Sequence, residues 1–138
     1  MLIDFIVGAR PNFIKLSPII KQLKLKKFKS KIKFRIIHTG QHYDKNLSEF
    51  FFDELGISKP TLQIKSGSGT HAIQTSKIMT GYEQYILKNN KPDLCLVFGD
   101  VNSTLACSIV AKKASIKLGH IEAGLRSFDM KCQKKLIE

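Results

Sequence analysis

Two carboxylic acids follow short apolar runs and could carry acid–base chemistry. Asp100 comes after the segment DLCLVFG, and Glu122 comes after KLGHI. Two carboxylates at neighbouring strand ends can divide acid and base work when their surroundings differ. Each also has a simpler structural explanation, since Asp100 could cap a following helix and Glu122 could pair with Arg10 or Arg126. The residue types alone favour the cap for Asp100.

The turn from Gly8 to Asn12 could bind an anion. An apolar run ends at Gly8 and a helical pattern follows, so the N–H groups of a helix N-terminus would face a ligand. Arg10 adds a bidentate donor for phosphate or carboxylate, and Lys15 follows about one helical turn later. The turn matches neither the glycine-rich dinucleotide-binding pattern nor a P-loop. A purely structural turn is therefore an equal alternative.

Histidines offer weaker signals. Gln41 and His42 follow another apolar run and could hydrogen-bond a sugar or a phosphate, although a single loop histidine is usually not catalytic. The other three histidines, at positions 38, 71 and 120, show no metal-ligand spacing with the acids. We therefore expect no metal site, and we expect no cofactor.

Short apolar runs alternate with helical patterns along the chain. Strands are predicted over residues 2–7, 31–38, 93–98 and 117–121, helices over 12–23, 47–55, 70–89 and 103–114, and a flexible loop over 59–69. Such alternation imposes right-handed crossovers and a parallel sheet with helices on both faces. We predict an α/β fold with a doubly wound, mostly parallel, Rossmann-like sheet. Its ligand would bind beyond the carboxyl ends of the strands, where the turns bearing the polar residues above converge.

Composition limits the class of protein. With 138 residues and 43% hydrophobic content, the chain matches one globular domain. Three cysteines without paired spacing, no secretory leader pattern and no apolar run long enough to span a bilayer predict a cytoplasmic protein with no membrane partner. Of the net charge of +12, eight Lys and Arg without an acid fall between positions 21 and 35. We interpret them as a solvated loop, not a nucleic-acid surface, and a basic polyanion-binding module stays as an alternative.

Five segments, in order, resemble the amino-terminal domain of the non-hydrolysing UDP-N-acetylglucosamine 2-epimerases. They are GARPNFIKLSP (8–18), TGQHYD (39–44), GTHAIQT (69–75), GDVNSTLA (99–106) and HIEAGLRS (120–127). The resemblance implies the first half of a glycosyltransferase-B-like fold, in which two Rossmann-like domains enclose the substrate. It also implies a homodimer that interconverts UDP-N-acetylglucosamine and UDP-N-acetylmannosamine for cell-surface polysaccharide precursors. A fragment of a glycosyltransferase of similar architecture is the other alternative.

The resemblance also implies roles for single residues and a reaction path. Asp100 and Glu122 match acidic active-site residues, and the substrate-binding positions are Arg10, Lys15, Gln41, His42 and Arg126, with Gln41 and His42 on a loop near a regulatory nucleotide-sugar pocket. The implied reaction removes the C2 proton, eliminates UDP in anti geometry to give 2-acetamidoglucal, and adds UDP back with reprotonation on the other face.

Residues 132–138, CQKKLIE, depart from the family pattern MPEEINR. A coding strand ATGCCAGAAGAAATTAATAGAA for that pattern, read one base later, translates as CQKKLIE. We therefore expect residues 1–131 to form the epimerase domain, 132–138 to be a frameshifted tail, and the carboxyl-terminal domain to be absent. Such a chain would bind UDP-N-acetylglucosamine weakly or not at all, and would be inactive alone. Genomic DNA lacking the family frame one base away would contradict the frameshift.

Overall fold

The structure, a computed structural model, describes residues 1–40 and 52–124. Within those ranges the strands are β1 (Leu2–Val7), β2 (Lys33–His38), β3 (Leu62–Gln63), β4 (Leu94–Phe98) and β5 (Lys117–Ile121). The helices are α1 (Arg10–Leu23), α2 (Lys26–Lys29), α3 (His71–Lys88) and α4 (Asn102–Lys113), and residues 52–54, between β2 and β3, are also helical. Strands and helices therefore alternate, as the apolar and helical patterns predict.

The strands form one parallel sheet in the order β3-β2-β1-β4-β5. Leu2–Val7 pairs with Lys33–His38 on one side and, through Ile3 to Phe5, with β4 on the other. The chain order therefore reverses between β1 and β4, the type of position where doubly wound sheets bind ligands. The predicted α/β, doubly wound fold class is confirmed.

The sheet buries one apolar layer on each face. Along β1, Ile3, Phe5 and Val7 pack on the side of α1, whereas Ile6 packs on the side of α3 and α4. This alternation follows from the two-residue period of a strand. Both faces are covered, which explains why β1 reads as an almost continuous apolar run.

One buried ion pair interrupts the layer on the α3 side. Asp4 is fully buried and accepts two hydrogen bonds from Arg35, Nε to Oδ1 at 2.6 Å and Nη2 to Oδ2 at 2.8 Å. The Tyr82 hydroxyl donates to Oδ2 at 3.0 Å. A buried carboxylate requires partners of this kind, because an unpaired charge would be strongly destabilising. Arg35, although part of the basic segment at 21–35, is therefore committed to the core.

The structure departs from the sequence prediction mainly at 59–69. The predicted flexible loop contains β3 and buries Ile64 and Ser66. A Cβ at Gly40, whose φ is +68°, would collide with the Ile64 carbonyl, so this close approach requires glycine. The helix α2 was not predicted, and most of the helix predicted over 47–55 lies outside the described residues. No helix in the described ranges is long and apolar enough to span a bilayer.

Candidate functional site

Asp100 and Glu122 leave neighbouring strands at the same edge of the sheet. Phe98 pairs with Ile121 in the parallel register, and the Gly99 N–H donates to the Ile121 carbonyl at 3.0 Å. Asp100 therefore lies two residues after Phe98, and Glu122 lies one residue after Ile121. Gly99 adopts φ +65°, which turns the chain at the end of β4. The two carboxylic acids thus occupy adjacent strand ends, as the sequence predicts.

Glu122 forms an ion pair with Lys15 of α1. The two side chains are about one-third exposed, at 36% and 33%. Glu122 has φ +68°, a left-handed conformation that is costly for a residue with a Cβ. Its Oε2 lies 3.6 Å from the position that a Cβ at Gly99 would occupy. The structure therefore joins α1, β4 and β5 at this carboxylate.

The simpler structural explanation for Asp100 does not hold, whereas Glu122 does form an ion pair. The helix α4 has Val101 as its N-cap and no side-chain capping hydrogen bond, so the cap predicted for Asp100 is wrong. Glu122 pairs with Lys15, a partner that the sequence did not suggest, and Arg126 lies outside the described residues. The left-handed backbone at Glu122 determines where its carboxylate goes, and a sequence pattern does not reveal that conformation.

Asn12 organises the turn before α1. Its Oδ1 accepts from the N–H groups of Gly8 at 3.1 Å and Ala9 at 2.9 Å, while its Nδ2 donates to the Phe98 carbonyl at 3.3 Å. Two N–H groups expected to face an anion are therefore occupied by an internal acceptor, and Pro11 has no N–H. The capacity of this turn to attract an anion depends on the exposed Arg10 and on the helix dipole.

Hydroxyl groups connect the ends of β2 and β4 with α4. The Phe98 carbonyl also accepts from Thr104 Oγ1 at 2.9 Å. Thr39 Oγ1 lies 2.7 Å from Ser103 Oγ, and Ser66 Oγ donates to the Thr39 carbonyl at 2.7 Å. All four of these side chains are buried. Their hydrogen bonds therefore make the layer beneath the candidate site rigid.

Asn102 links the first turns of α3 and α4. Its Nδ2 donates to Gln74 Oε1 at 3.1 Å and lies 3.1 Å from His71 Nδ1. Gln74 Nε2 in turn donates to the Gly67 carbonyl at 3.1 Å. The glycine-rich segment before α3 is thereby fixed against the start of α4, beside the end of β4.

Two histidines near this edge, His38 and His120, contact aromatic rings or the backbone. His38, at the end of β2, is 3% exposed and packs edge-on against the rings of Phe13 and Phe52, with centroid distances of 5.3 and 6.3 Å. Burial lowers the pKa of His38 to about 4, so the imidazole is neutral at pH 7. His120 Nε2 lies 2.8 Å from the Gly99 carbonyl. Among the described residues no group of three or more metal-ligating side chains is assembled.

The sequence prediction of site residues has three outcomes. Lys15, Asp100 and Glu122 lie at the carboxyl edge of the sheet, and Arg10 is the first residue of α1 beside them. Gln41, His42 and Arg126 lie outside the described residues. The sequence pattern predicts no role for the buried polar residues beneath the site, which are Asn12, Thr39, Ser66, Asn102, Ser103 and Thr104. Several of them lie in the same turns as the predicted site residues, and this proximity in the sequence could have indicated that they belong to the site.

Similarity to known proteins extends along nearly the whole chain. A family model described as UDP-N-acetylglucosamine 2-epimerase matches residues 24–135. A Methanococcus maripaludis UDP-N-acetylglucosamine 2-epimerase homolog is 48% identical over 99% of this chain and 36% of its own length. Pseudomonas aeruginosa UDP-2,3-diacetamido-2,3-dideoxy-D-glucuronate 2-epimerase is 46% identical over 99% of this chain and 37% of its own.

A solved structure agrees with these relatives. The crystal structure of Methanocaldococcus jannaschii UDP-GlcNAc 2-epimerase in complex with UDP-GlcNAc and UDP matches with a TM-score of 0.89 at 44% identity, over 99% of this chain and 36% of that one. The chain therefore spans little more than a third of the length of the proteins it resembles.

Proposed function

Because the chain belongs to the UDP-N-acetylglucosamine 2-epimerase family, we propose that it forms the amino-terminal part of an enzyme interconverting UDP-N-acetylglucosamine and UDP-N-acetylmannosamine. The observation that carries this proposal is the arrangement of charged side chains at the carboxyl edge of the sheet. Glu122, paired with Lys15, and Asp100 extend from adjacent strands beside the first turn of α1. Following the family resemblance, the whole enzyme would be a cytoplasmic homodimer that supplies precursors for cell-surface polysaccharide.

The reaction needs two proton-transfer steps on opposite faces of the sugar. A base takes the C2 proton, the C2–H electron pair forms the C1–C2 double bond, and UDP leaves C1 with the electron pair of the C–O bond. UDP then adds back to the 2-acetamidoglucal while an acid delivers a proton to the other face of C2. We assign these transfers to Asp100 and Glu122, because two carboxylates on separate strand ends can approach one carbon from different sides.

The departing UDP is anionic, and cations near α1 suit it. Arg10 lies at the positive end of the α1 dipole, where a diphosphate would be stabilised. Lys15 orients Glu122 through the ion pair and adds a second cation at this edge. Gln41, His42 and Arg126 are proposed to complete the substrate contacts. The carboxyl-terminal two-thirds of the relatives would supply the other wall of the cleft.

A second substrate is also supported. The Pseudomonas aeruginosa relative, named for a diacetamido glucuronate, is 46% identical, nearly as similar as the relatives named for UDP-N-acetylglucosamine, at 47% and 48%. Inversion at C2 is chemically the same for both sugars. The glucuronate carries an additional carboxylate that another cation would have to recognise, so assays with both nucleotide sugars separate the two candidates.

A chimera tests the proposed function. Residues 1–124 of this chain would replace the matching first third of the Methanocaldococcus jannaschii relative, with conversion of each nucleotide sugar followed by NMR. We expect epimer formation, and a loss of about 10²- to 10⁴-fold on Asp100→Asn or Glu122→Gln. The exposed acid Glu83 on α3 provides the control, because Glu83→Gln should leave the rate unchanged.

Two results would contradict the proposal. A folded chimera that binds UDP but converts neither sugar would exclude the assigned activity, and full activity of both acid variants would exclude their roles. The 138-residue chain alone should show no turnover, because it spans little more than a third of its relatives. Clear epimer formation by the chain alone would overturn that expectation.

A further inference from the structure

The end of the sheet opposite the candidate site is covered by lysine side chains. Helices end and strands begin there, and thirteen of the sixteen lysines in the described ranges lie at this end, all of them exposed. We call this surface the lysine edge; its members are Lys21, Lys24, Lys26, Lys27, Lys29, Lys31, Lys33, Lys59, Lys88, Lys91, Lys112, Lys113 and Lys117.

Acidic residues do not balance this charge. Asp53, Glu54 and Asp93 border the lysine edge, giving three acids against thirteen lysines. Asp93 accepts a hydrogen bond from the Leu2 N–H at 2.7 Å and so lies beside the start of β1. Arg35 adds nothing to this surface, because its guanidinium is paired with the buried Asp4. The lysine edge therefore carries a large excess of exposed positive charge.

Apolar side chains project from the same surface. Met1, Leu25 and Leu87 are 58%, 45% and 78% exposed, and they are three of the five large hydrophobic side chains exposed in the described residues. The Met1 carbonyl accepts from the Lys33 N–H at 2.9 Å. Leu25 lies between Lys24 and Lys26, and Leu87 precedes Lys88. Each exposed apolar group thus lies directly among the lysines.

We propose that the lysine edge binds the surface of an anionic lipid bilayer. Clustered lysines are attracted to a negatively charged membrane, and exposed aliphatic groups beside them can enter the interfacial layer. The sequence predicts no membrane partner because no segment is long enough to span a bilayer. Contact with the surface needs no such segment.

The side chains favour a bilayer over a nucleic acid. Nucleic-acid recognition relies on arginine forks and on exposed aromatic rings that stack with bases. All the cations of the lysine edge are lysines. The ring of Phe28, which lies between Lys27 and Lys29, is half-buried and has the Lys27 ammonium 4.9 Å from its centre. Exposed leucine and methionine side chains have no corresponding role on a nucleic acid.

The location of the lysine edge has a consequence for the candidate site. Strand amino ends and strand carboxyl ends lie at opposite edges of a parallel sheet, so a protein resting on its lysine edge directs Asp100 and Glu122 away from the bilayer. A water-soluble ligand could then reach the site without leaving solution. Bilayer binding by the lysine edge does not depend on the proposed function.

Co-sedimentation of the 138-residue chain with vesicles tests the proposal. Vesicles of phosphatidylcholine alone would be compared with vesicles containing 30% phosphatidylglycerol, at low and high salt. We expect binding to the anionic vesicles only, weakened by salt. The double variant Lys27→Gln/Lys29→Gln should bind about 25-fold more weakly, or roughly fivefold per lysine. The matched variant Lys65→Gln/Lys77→Gln, with two exposed lysines outside the lysine edge, should change binding less than about twofold.

A second pair of variants separates a bilayer from other polyanions. Leu25→Ser should lower vesicle binding about tenfold, because the leucine no longer enters the interface. Ile73→Ser, which removes a similarly exposed side chain on α3, should not. The proposal is overturned if anionic vesicles do not bind, if both lysine pairs behave alike, or if single-stranded RNA binds more tightly than the vesicles and Leu25→Ser has no effect on vesicle binding.

Discussion

Lys15 of α1 and Glu122, which directly follows β5, form an ion pair that joins the first helix to the end of the last described strand. The pair brings a cation and one of the two candidate proton-transfer groups to the same edge as Asp100. Glu122 makes this pair from a left-handed backbone conformation, which is costly for a residue with a Cβ. The geometry of this edge is therefore set by tertiary contact.

Replacing Lys15 should separate function from stability. Both partners are about one-third exposed, so Lys15→Met should change the free energy of unfolding by less than about 1 kcal/mol. In the chimera the same substitution should lower kcat/KM at least about tenfold, because Glu122 loses its orienting partner and the site loses a cation. Urea unfolding and steady-state assays measure the two effects. Lys112→Met, on the exposed end of α4, is the control, and equal rates for both variants would contradict the role of Lys15.

Glycine at position 122 should stabilise the fold while removing activity. The left-handed φ of +68° costs a residue with a Cβ roughly 1 kcal/mol, which Glu122→Gly would relieve, less the small contribution of the ion pair. Ser115, with φ +57°, is the matched control, because Ser115→Gly should stabilise similarly without affecting the chimera. Thermal unfolding measures both variants. Destabilisation by Glu122→Gly alone would show that the ion pair outweighs the backbone cost.

Removal of the Asn12 side chain should destabilise the domain strongly. Asn12→Ala leaves the N–H groups of Gly8 and Ala9 without their acceptor and removes one donor to the Phe98 carbonyl. We expect a loss of about 3 kcal/mol in urea unfolding, since each unsatisfied buried group costs about 1–3 kcal/mol. Thr104→Val removes only one of the two donors to Phe98 and should cost about 1 kcal/mol. Equal losses would mean that Asn12 is not the organising residue.

His38 should make the domain less stable in mild acid. Its pKa is about 4 in the folded state and near 6.5 when unfolded, so below pH 6.5 the unfolded chain binds a proton that the folded chain does not. Stability should therefore fall as pH drops from about 6.5 to 4, by up to about 3 kcal/mol, and the His38 contribution should then level off. His38→Gln should remove this part of the pH dependence in urea unfolding. His71→Gln, at an exposed helix start, should keep it.

The sequence predicts the strands well where burial dictates their composition. The run at 2–7 coincides with β1, because a strand covered on both faces is apolar along most of its length. The run at 117–121 also coincides with β5, although the residues of that strand are only partly buried or exposed. The two-residue β3 has no such pattern. It exists because the N–H groups of Thr61 and Ile64 donate to β2 carbonyls, and those contacts depend on tertiary packing.

The candidate site is predictable in position and not in detail. Parallel strands end at one edge, which is sufficient to bring Asp100 and Glu122 onto neighbouring strands. The choice of Lys15 as the partner of Glu122 depends on side-chain reach and on the backbone at Glu122. The frameshift interpretation of residues 132–138 falls outside the described residues and stays a prediction, which genomic DNA can test.

The hydrogen bond between Asn12 and Phe98 joins residues 86 positions apart. The central strand β1 comes first in the chain, yet one of its two neighbours, β4, is synthesised only after β2, β3 and α3. Closing so long a segment carries a large entropic cost before any contact compensates for it. The turn that carries Arg10 therefore acquires its final geometry late in folding, and a nascent chain must expose this edge until Phe98 has left the ribosome.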